Sequence, residues 1–413
     1  MRLLPWALCI SIAGTALLAK PPPRVEATLI FTGDIRGYLA PCGCTQPQVG
    51  GIERMAGVVR ALLKQRNAHY VDLGNWTEVG GRQDELKAEA LAEVFAGLKP
   101  AYLNVGPLDA RLGPEYLRSL SDAVGGVVDS ANLNLGGATP GRRGRAVGDS
   151  IWVQGLVADR DAERIGSPLR SVAEAVSPPP STRRQVLLFA ADLKEADALA
   201  REFPHVSLIV YSTRGDPPAS PVRVGKTALV SVGDKARYVG KIDLVDGEWT
   251  NFTLIELGPE HAHDPAAAEA YRAYTNRVAE EGLLDDLLRS KGKVKFVGSR
   301  ECAVCHIGED SKWLETRHAK ALATLVQTGN DRDPECVGCH VVGLNYESGF
   351  RGAPSTPELA NVGCESCHGP GGEHVFDPTV KMGVAGEESC MTCHETAHSP
   401  EFDFKSYWEK IKH

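Results

Sequence analysis

The chain has 413 residues, 43% of them hydrophobic and 24% charged; this globular composition excludes a mostly disordered protein, and the length exceeds one ordinary core. A net charge of -8, from 53 acidic against 45 basic residues, excludes a nucleic-acid binder led by phosphate contacts. Aromatic residues are sparse at 6%, so something other than Phe and Trp is expected to fill part of the interior.

The start of the chain reads as export. Met1-Arg2 supplies a short positive stretch, 3–19 is apolar without charge, and Lys20-Pro-Pro-Pro23 breaks any helix beyond Ala19. Residues 1–19 are therefore expected to be a cleaved signal peptide, which implies a periplasmic or otherwise exported protein. An uncleaved anchor is the alternative, at the short edge for spanning a bilayer, and only in that case is membrane contact expected. Cys9 follows Leu8, a bulkier neighbour than lipoprotein processing usually takes.

From 25 to about 260, short apolar runs alternate with helical stretches. Residues 25–32, 69–73, 101–105, 127–132, 186–190 and 206–211 read as buried strands. Segments 52–65 and 84–98 read as amphipathic helices, and 237–245 with 248–257 as a closing hairpin turned by Asp246-Gly247. The alternation makes this region α/β. Asp264-Pro265 opens a long helix to about 290, a helical connector over 261–292.

From 293 to 413 no strand pattern survives. Helices are expected near 310–327 and 404–412, in a segment too poor in Leu, Ile and Phe to build its own core. A bound group must supply it.

Of the 11 cysteines, eight fall into four C-x-x-C pairs, each followed by His: Cys302, Cys305 and His306; Cys336, Cys339 and His340; Cys364, Cys367 and His368; Cys390, Cys393 and His394. Paired thiols form thioethers with porphyrin vinyl groups while the adjacent His reaches the iron, which is c-type haem attachment. Zinc is the competing chemistry, but two pairs per zinc need no His after every second cysteine. Four haems c follow, one to about 28 residues, so the macrocycles must touch and serve as the core. Each iron also needs a second axial ligand or an open face. His318, His374 and His413 are the candidates for distal ligation, with His413 placed by its helix to cover the last haem; His398, close behind His394, reads as a loop residue.

These residues carry a resemblance. Trp313-x-x-Thr-x-His318-Ala-Lys-Ala, Cys336-Val-Gly-Cys-His-Val-Val-Gly and Val362-Gly-Cys-Glu-Ser-Cys-His-Gly-Pro-Gly371, together with the first attachment motif, resemble the tetrahaem cytochrome c-554 family over 300–395. The resemblance implies periplasmic electron transfer. It also implies that His374 caps the first haem and His318 the third, with the second iron, held by His340, left open. The family's own tail beyond Cys393 is not matched.

The amino-terminal motifs Thr32-Gly-Asp34-Ile-Arg36-Gly, Gly50-Gly-Ile-Glu-Arg54, Asp72-Leu-Gly-Asn75, Asn104-Val-Gly106 and Ser130-Ala-Asn-Leu133 resemble 5'-nucleotidase-like, calcineurin-like metallophosphoesterases. That resemblance implies a two-sheet α/β sandwich with a dinuclear metal site on strand-end loops. Here the metal-site positions are vestigial. Asp34 and Asp72 remain, but Arg36 and Asn75 stand at a histidine and a bridging-aspartate position, and Gly106-Pro-Leu replaces G-N-H. Two-metal hydrolysis needs Asp, His and Asn ligands to converge, and too few remain. Cys42-Gly-Cys44, just beyond, reads equally as a redox or soft-metal pair and as a structural loop.

The expected function is exported electron transfer through four haems, with periplasmic redox proteins or a membrane quinol-linked donor as partners and no nucleic acid. The amino-terminal domain is expected to dock a partner or a small ligand without hydrolysis. The alternatives are a haem reductase of a small nitrogen or sulfur oxide at an open second haem, and a redox-linked phosphoesterase.

Overall fold

A computed structural model describes residues 24–41, 47–78, 80–133, 144–164, 170–179, 182–290, 292–395, 399 and 401–413. The expected signal peptide with Cys9, the Cys42-Gly-Cys44 pair and His398 lie outside the described residues. No helix among the described residues is long and apolar enough to cross a membrane.

Among the described residues twelve strands alternate with helices. They are β1 (Val25–Thr32), β2 (Ala68–Asp72), β3 (Tyr102–Asn104), β4 (Val128–Asp129), β5 (Arg145–Val147), β6 (Ile151–Val157), β7 (Arg184–Ala190), β8 (Val206–Tyr211), β9 (Val222–Val224), β10 (Thr227–Val230), β11 (Tyr238–Val245) and β12 (Glu248–Glu256). They form two six-stranded mixed sheets, in the orders β12-β11-β1-β2-β3-β4 and β5-β6-β7-β8-β10-β9. Strands β1 to β4 are parallel, as are β6, β7, β8 and β10, and the antiparallel strands lie towards the edges.

The sandwich follows from side-chain alternation. Ala27, Leu29 and Phe31 of β1 face Val153, Val186, Leu188 and Leu208 of the other sheet in one buried cluster. Ile30 turns the other way, under the helices α1 (Ile52–Leu62) and α2 (Arg82–Leu98). Burial on both faces is why Leu29, Ile30 and Phe31 follow one another as apolar residues in β1. Phe31 pairs across β11 with Gly240, where a Cβ would lie 2.4 Å from the ring; the missing side chain makes room for the aromatic one.

Asp264 caps the connector helix by accepting from the N–H groups of Ala266 and Ala267, each at 3.1 Å. That helix runs Pro265–Glu280 and stops about ten residues short of the expectation, because Gly282 at φ 68° turns the chain out of it. Arg82 of α2 clasps Glu281 with two hydrogen bonds, and Arg277 reaches Glu89, so connector and sandwich are tied together.

Beyond the connector the chain is short helices and loops, with isolated bridges only at Ser290–Tyr346 and Val341–Ala360 among the described residues. The segment does hold a small apolar core of its own, contrary to expectation: Leu322, Leu325, Val337, Val342, Phe350 and Leu359 pack with Leu284 from the connector. That core lies around the second attachment motif. The helix expected over 310–327 is broken into Ile307–Leu314, a 3-10 turn His318–Lys320, and Ala321–Thr328. Side chains satisfy the break: Thr316 Oγ1 donates to Trp313 O at 2.7 Å, and Asn361 Oδ1 accepts from Leu322 N at 3.0 Å.

Candidate functional site

Each attachment motif is a tight turn that gathers two thiols and one imidazole. In the first, Cys305 N and His306 N both donate to Cys302 O; in the fourth, Cys393 N and His394 N do the same to Cys390 O. Residues three and four apart thereby share one face. The first and third motifs are neighbours, for the thiols of Cys302 and Cys364 lie close to one another. Ser299 Oγ also accepts from Cys364 N at 3.1 Å.

Three pairs of imidazoles face each other across the domain. Ring centroids are 6.3 Å apart for His306 and His374, 6.2 Å for His318 and His394, and 6.0 Å for His368 and His413. Two imidazoles bound to one iron, each at a metal–nitrogen distance of about 2 Å, set their centroids roughly 6 Å apart. Backbone carbonyls beside the rings fix the tautomers. Nδ1 of His340, His368, His374 and His413 lies 2.6, 2.9, 2.7 and 3.2 Å from the carbonyl oxygens of Ala321, Gly383, Val380 and Ile411. A carbonyl only accepts, so Nδ1 carries the proton and the Nε2 lone pair is left for a metal. Burial and the neighbouring His394 and His340 hold His318 below the ordinary histidine range, and burial does the same for His394. Both rings are therefore neutral at pH 7, the form that ligates. The residues present fit haem.

The pairing departs from the expectation at two histidines. His318 was assigned to the third haem but faces His394 of the fourth motif, and His413 faces His368 of the third motif rather than covering the last. The broken helix is the reason: His318 sits in the 3-10 turn, whose carbonyl accepts from Val362 N at 3.2 Å. His374 faces His306, the partner the resemblance implied. Among the described residues His340 has no imidazole opposite it. Phe402 stacks on His394 at 4.8 Å, with Tyr407 edge-on at 5.6 Å.

Sequence reasoning missed Glu365, inside the third motif. It is 3% exposed, and its carboxylate accepts from the N–H groups of Val297 (3.1 Å), Gly298 (2.7 Å) and Gly371 (2.6 Å). The signal was present, since a carboxylate between two haem cysteines needs a partner if buried.

The second motif is held against the sandwich. Asp333 accepts from Tyr274 Oη at 2.9 Å and from Gln83 Nε2 at 2.8 Å, while Tyr271 Oη donates to Asn330 at 2.8 Å. Lys87 Nζ lies 2.7 Å from both carboxylate oxygens of Glu335.

At the strand ends of the first sheet, Asp34, Arg36 and Asn75 all take left-handed backbone, with φ of 49°, 54° and 60°. Asp34 Oδ1 accepts from Asn75 Nδ2 at 2.8 Å and from Arg36 Nη2 at 3.1 Å. Asp34 Oδ2 and Ser212 Oγ are buried and close, yet neither has a partner in hydrogen-bond geometry. Burial raises the Asp34 carboxyl despite the guanidinium beside it. Asp72 accepts from Thr32, Gly74 and Trp76, and burial pushes it up to about 6. Asp109, also missed from sequence, accepts from the N–H groups of Asn75, Trp76, Thr77 and Gly106, and burial pushes it to about 7. Asn104 donates to Leu73 O in one sheet and to Leu156 O and Leu188 O in the other, so that motif position joins the two layers. No group of three or more His, Cys, Asp or Glu is placed to hold a metal among the described residues.

Comparison with known proteins agrees with this division. The family model for cytochrome c554 and c-prime matches residues 301–369. Cytochrome c-554 of Nitrosomonas europaea is 33% identical over 24% of this chain, and the match spans 57% of that protein's length. Among solved structures, the sulfate thiohydrolase SoxB of Thermus thermophilus superposes with a TM-score of 0.51 at 17% identity, covering 63% of this chain and 62% of that one. The calcineurin-like phosphoesterase YfkN of Bacillus subtilis gives 0.51 at 13% identity, over 63% and 99%. A putative 5'-nucleotidase of Staphylococcus aureus gives 0.50 at 15%, over 73% and 66%. Identities this low establish the fold alone. The chain thus joins an amino-terminal region with a 5'-nucleotidase-like, calcineurin-like phosphoesterase fold to a carboxy-terminal cytochrome c554 domain, a family that implies covalently held haem c.

Proposed function

We propose that this protein is an exported electron carrier with four covalent haems c, three of them ligated by the pairs His306–His374, His368–His413 and His394–His318. The observation that carries the reading is the set of three facing imidazole pairs, each with the centroid separation that one iron requires. Haem c supplies one-electron chemistry. The protein supplies the thiols that fix each macrocycle, the axial imidazoles, and the backbone carbonyls that orient them. Attachment of haem c outside the bacterial cytoplasm and the apolar segment 3–19 support an exported location. Electrons would pass to and from periplasmic redox proteins or a membrane quinol-linked donor.

The amino-terminal domain acts in this reading as a non-hydrolytic docking or ligand-binding scaffold. Arg36 holds a fixed positive charge against Asp34, at a position where the nucleotidase resemblance calls for a metal ligand. Purified protein supplied with Mn²⁺ or Zn²⁺ is expected to release no phosphate from nucleotides above buffer; clear release would reinstate the phosphoesterase reading.

One observation favours a second reading. His340 lacks a facing imidazole among the described residues, as a haem open to a small nitrogen or sulfur oxide would. The deciding experiment is the EPR spectrum of the oxidised protein, matured with haem in a periplasm. A wholly low-spin spectrum supports the carrier alone, whereas one high-spin iron per molecule moves the reductase ahead.

A further inference from the structure

We infer that the amino-terminal domain sets the reduction potential of the second haem through the buried charge of Lys87. The inference rests on the haem reading above and adds to it a task for the sandwich. Lys87 projects from α2 and is 4% exposed. Its Nζ meets both oxygens of Glu335 at 2.7 Å and lies 3.7 Å from Asp84 Oδ1. Glu335 immediately precedes Cys336, a thiol that would bind the second macrocycle.

The neighbouring contacts make this position rigid. Asp333 caps the short helix Pro334–Val337 by accepting from Glu335 N at 2.9 Å, and it is itself held by Tyr274 and Gln83. Gly37 passes beside Lys87, and a Cβ there would come within 3.0 Å of Nζ, so the glycine leaves the room that the lysine occupies. Lys87 itself is shielded from water although the Glu335 side chain is 56% exposed, and a shielded cation acts over a longer range than one at the surface. Charge close to a haem shifts its potential, since reduction adds one electron to the iron. Lys87 offsets part of the negative charge of Glu335 and Asp84, so removing it leaves more negative charge beside one attachment loop. The second motif meets α2 through Asp333 and Glu335.

The test is a potentiometric titration of the full-length, haem-loaded protein, followed by visible absorbance and EPR, for Lys87→Met, Glu335→Gln and the double variant. Lys87→Met is expected to lower one of the four midpoint potentials and leave three unchanged. Glu335→Gln, which removes one negative charge beside the attachment loop, is expected to raise that same potential, and the double variant to return it towards the parent value. Shifts of the same sign in both single variants mean a merely structural role and overturn the inference, as do four unmoved potentials. If Lys87→Met fails to mature, the sign of the Glu335→Gln shift still decides. A haem content below four per chain in the parent protein would instead defeat the reading on which the inference rests.

Discussion

His318 and His394 face one another with ring centroids 6.2 Å apart, although two other attachment motifs separate them in the chain. A haem on the fourth motif would thereby be tied to the 3-10 turn that begins at His318. His318→Ala should convert one low-spin ferric signal to high spin, leave the others intact, and be rescued by free imidazole. The affected signal should be the one perturbed by His394→Met and spared by His368→Met. Perturbation by His368→Met instead would return His318 to the third haem.

Glu365 stitches residues 297, 298 and 371 to the third motif through backbone hydrogen bonds. Replacing it with Ala strands three buried donors, at a cost of about 3 kcal/mol. Urea unfolding at full haem content should show the loss, and an unchanged midpoint would refute it.

Arg36→Met should destabilise the sandwich by roughly 3 kcal/mol, because Asp34 is left buried without its cation. Adding Asp34→Asn should recover most of that loss, a coupling readable from thermal unfolding of the two variants. Additive losses would show that the guanidinium is not there to balance Asp34.

Asp72 and Asp109 give the sandwich a pH signature. Their folded values of about 6 and about 7 lie above the unfolded carboxylate value, so the native state binds protons more tightly. Their contribution is fully present below about pH 4 and is lost as pH rises through 6 and 7, a fall on the order of a few kcal/mol. Asp72→Asn should flatten the lower part of that slope, since an amide still accepts from Gly74 and Trp76. Stability measured across pH 4 to 7 checks both.

What the sequence disclosed depended on how local the information was. Strands β1 and β8 were legible to the residue, because each is mostly apolar and β-prone. Haem attachment was legible because thiols and imidazole occupy one turn. The partners of His318 and His413 were not, because a facing imidazole is a relation between distant segments, and the helix break that redirects His318 is paid for by Asn361 far down the chain. Asp109 and Glu365 escaped for the same reason: a carboxylate that gathers backbone N–H groups leaves no spacing pattern. Lys87 looked like one more charge on an amphipathic helix, and only the position of Glu335 gives it a role.

The facing imidazoles also constrain how the domain assembles. His306 waits for His374, which lies beyond the third motif, and His318 waits for the fourth. No iron among the three pairs gains both ligands from one contiguous stretch of chain, so each closure brings together segments distant in sequence. Cutting the domain between any two motifs would leave at least one half-ligated iron on a fragment. If these pairs ligate haem, the first, third and fourth attachment sites close as one cooperative unit.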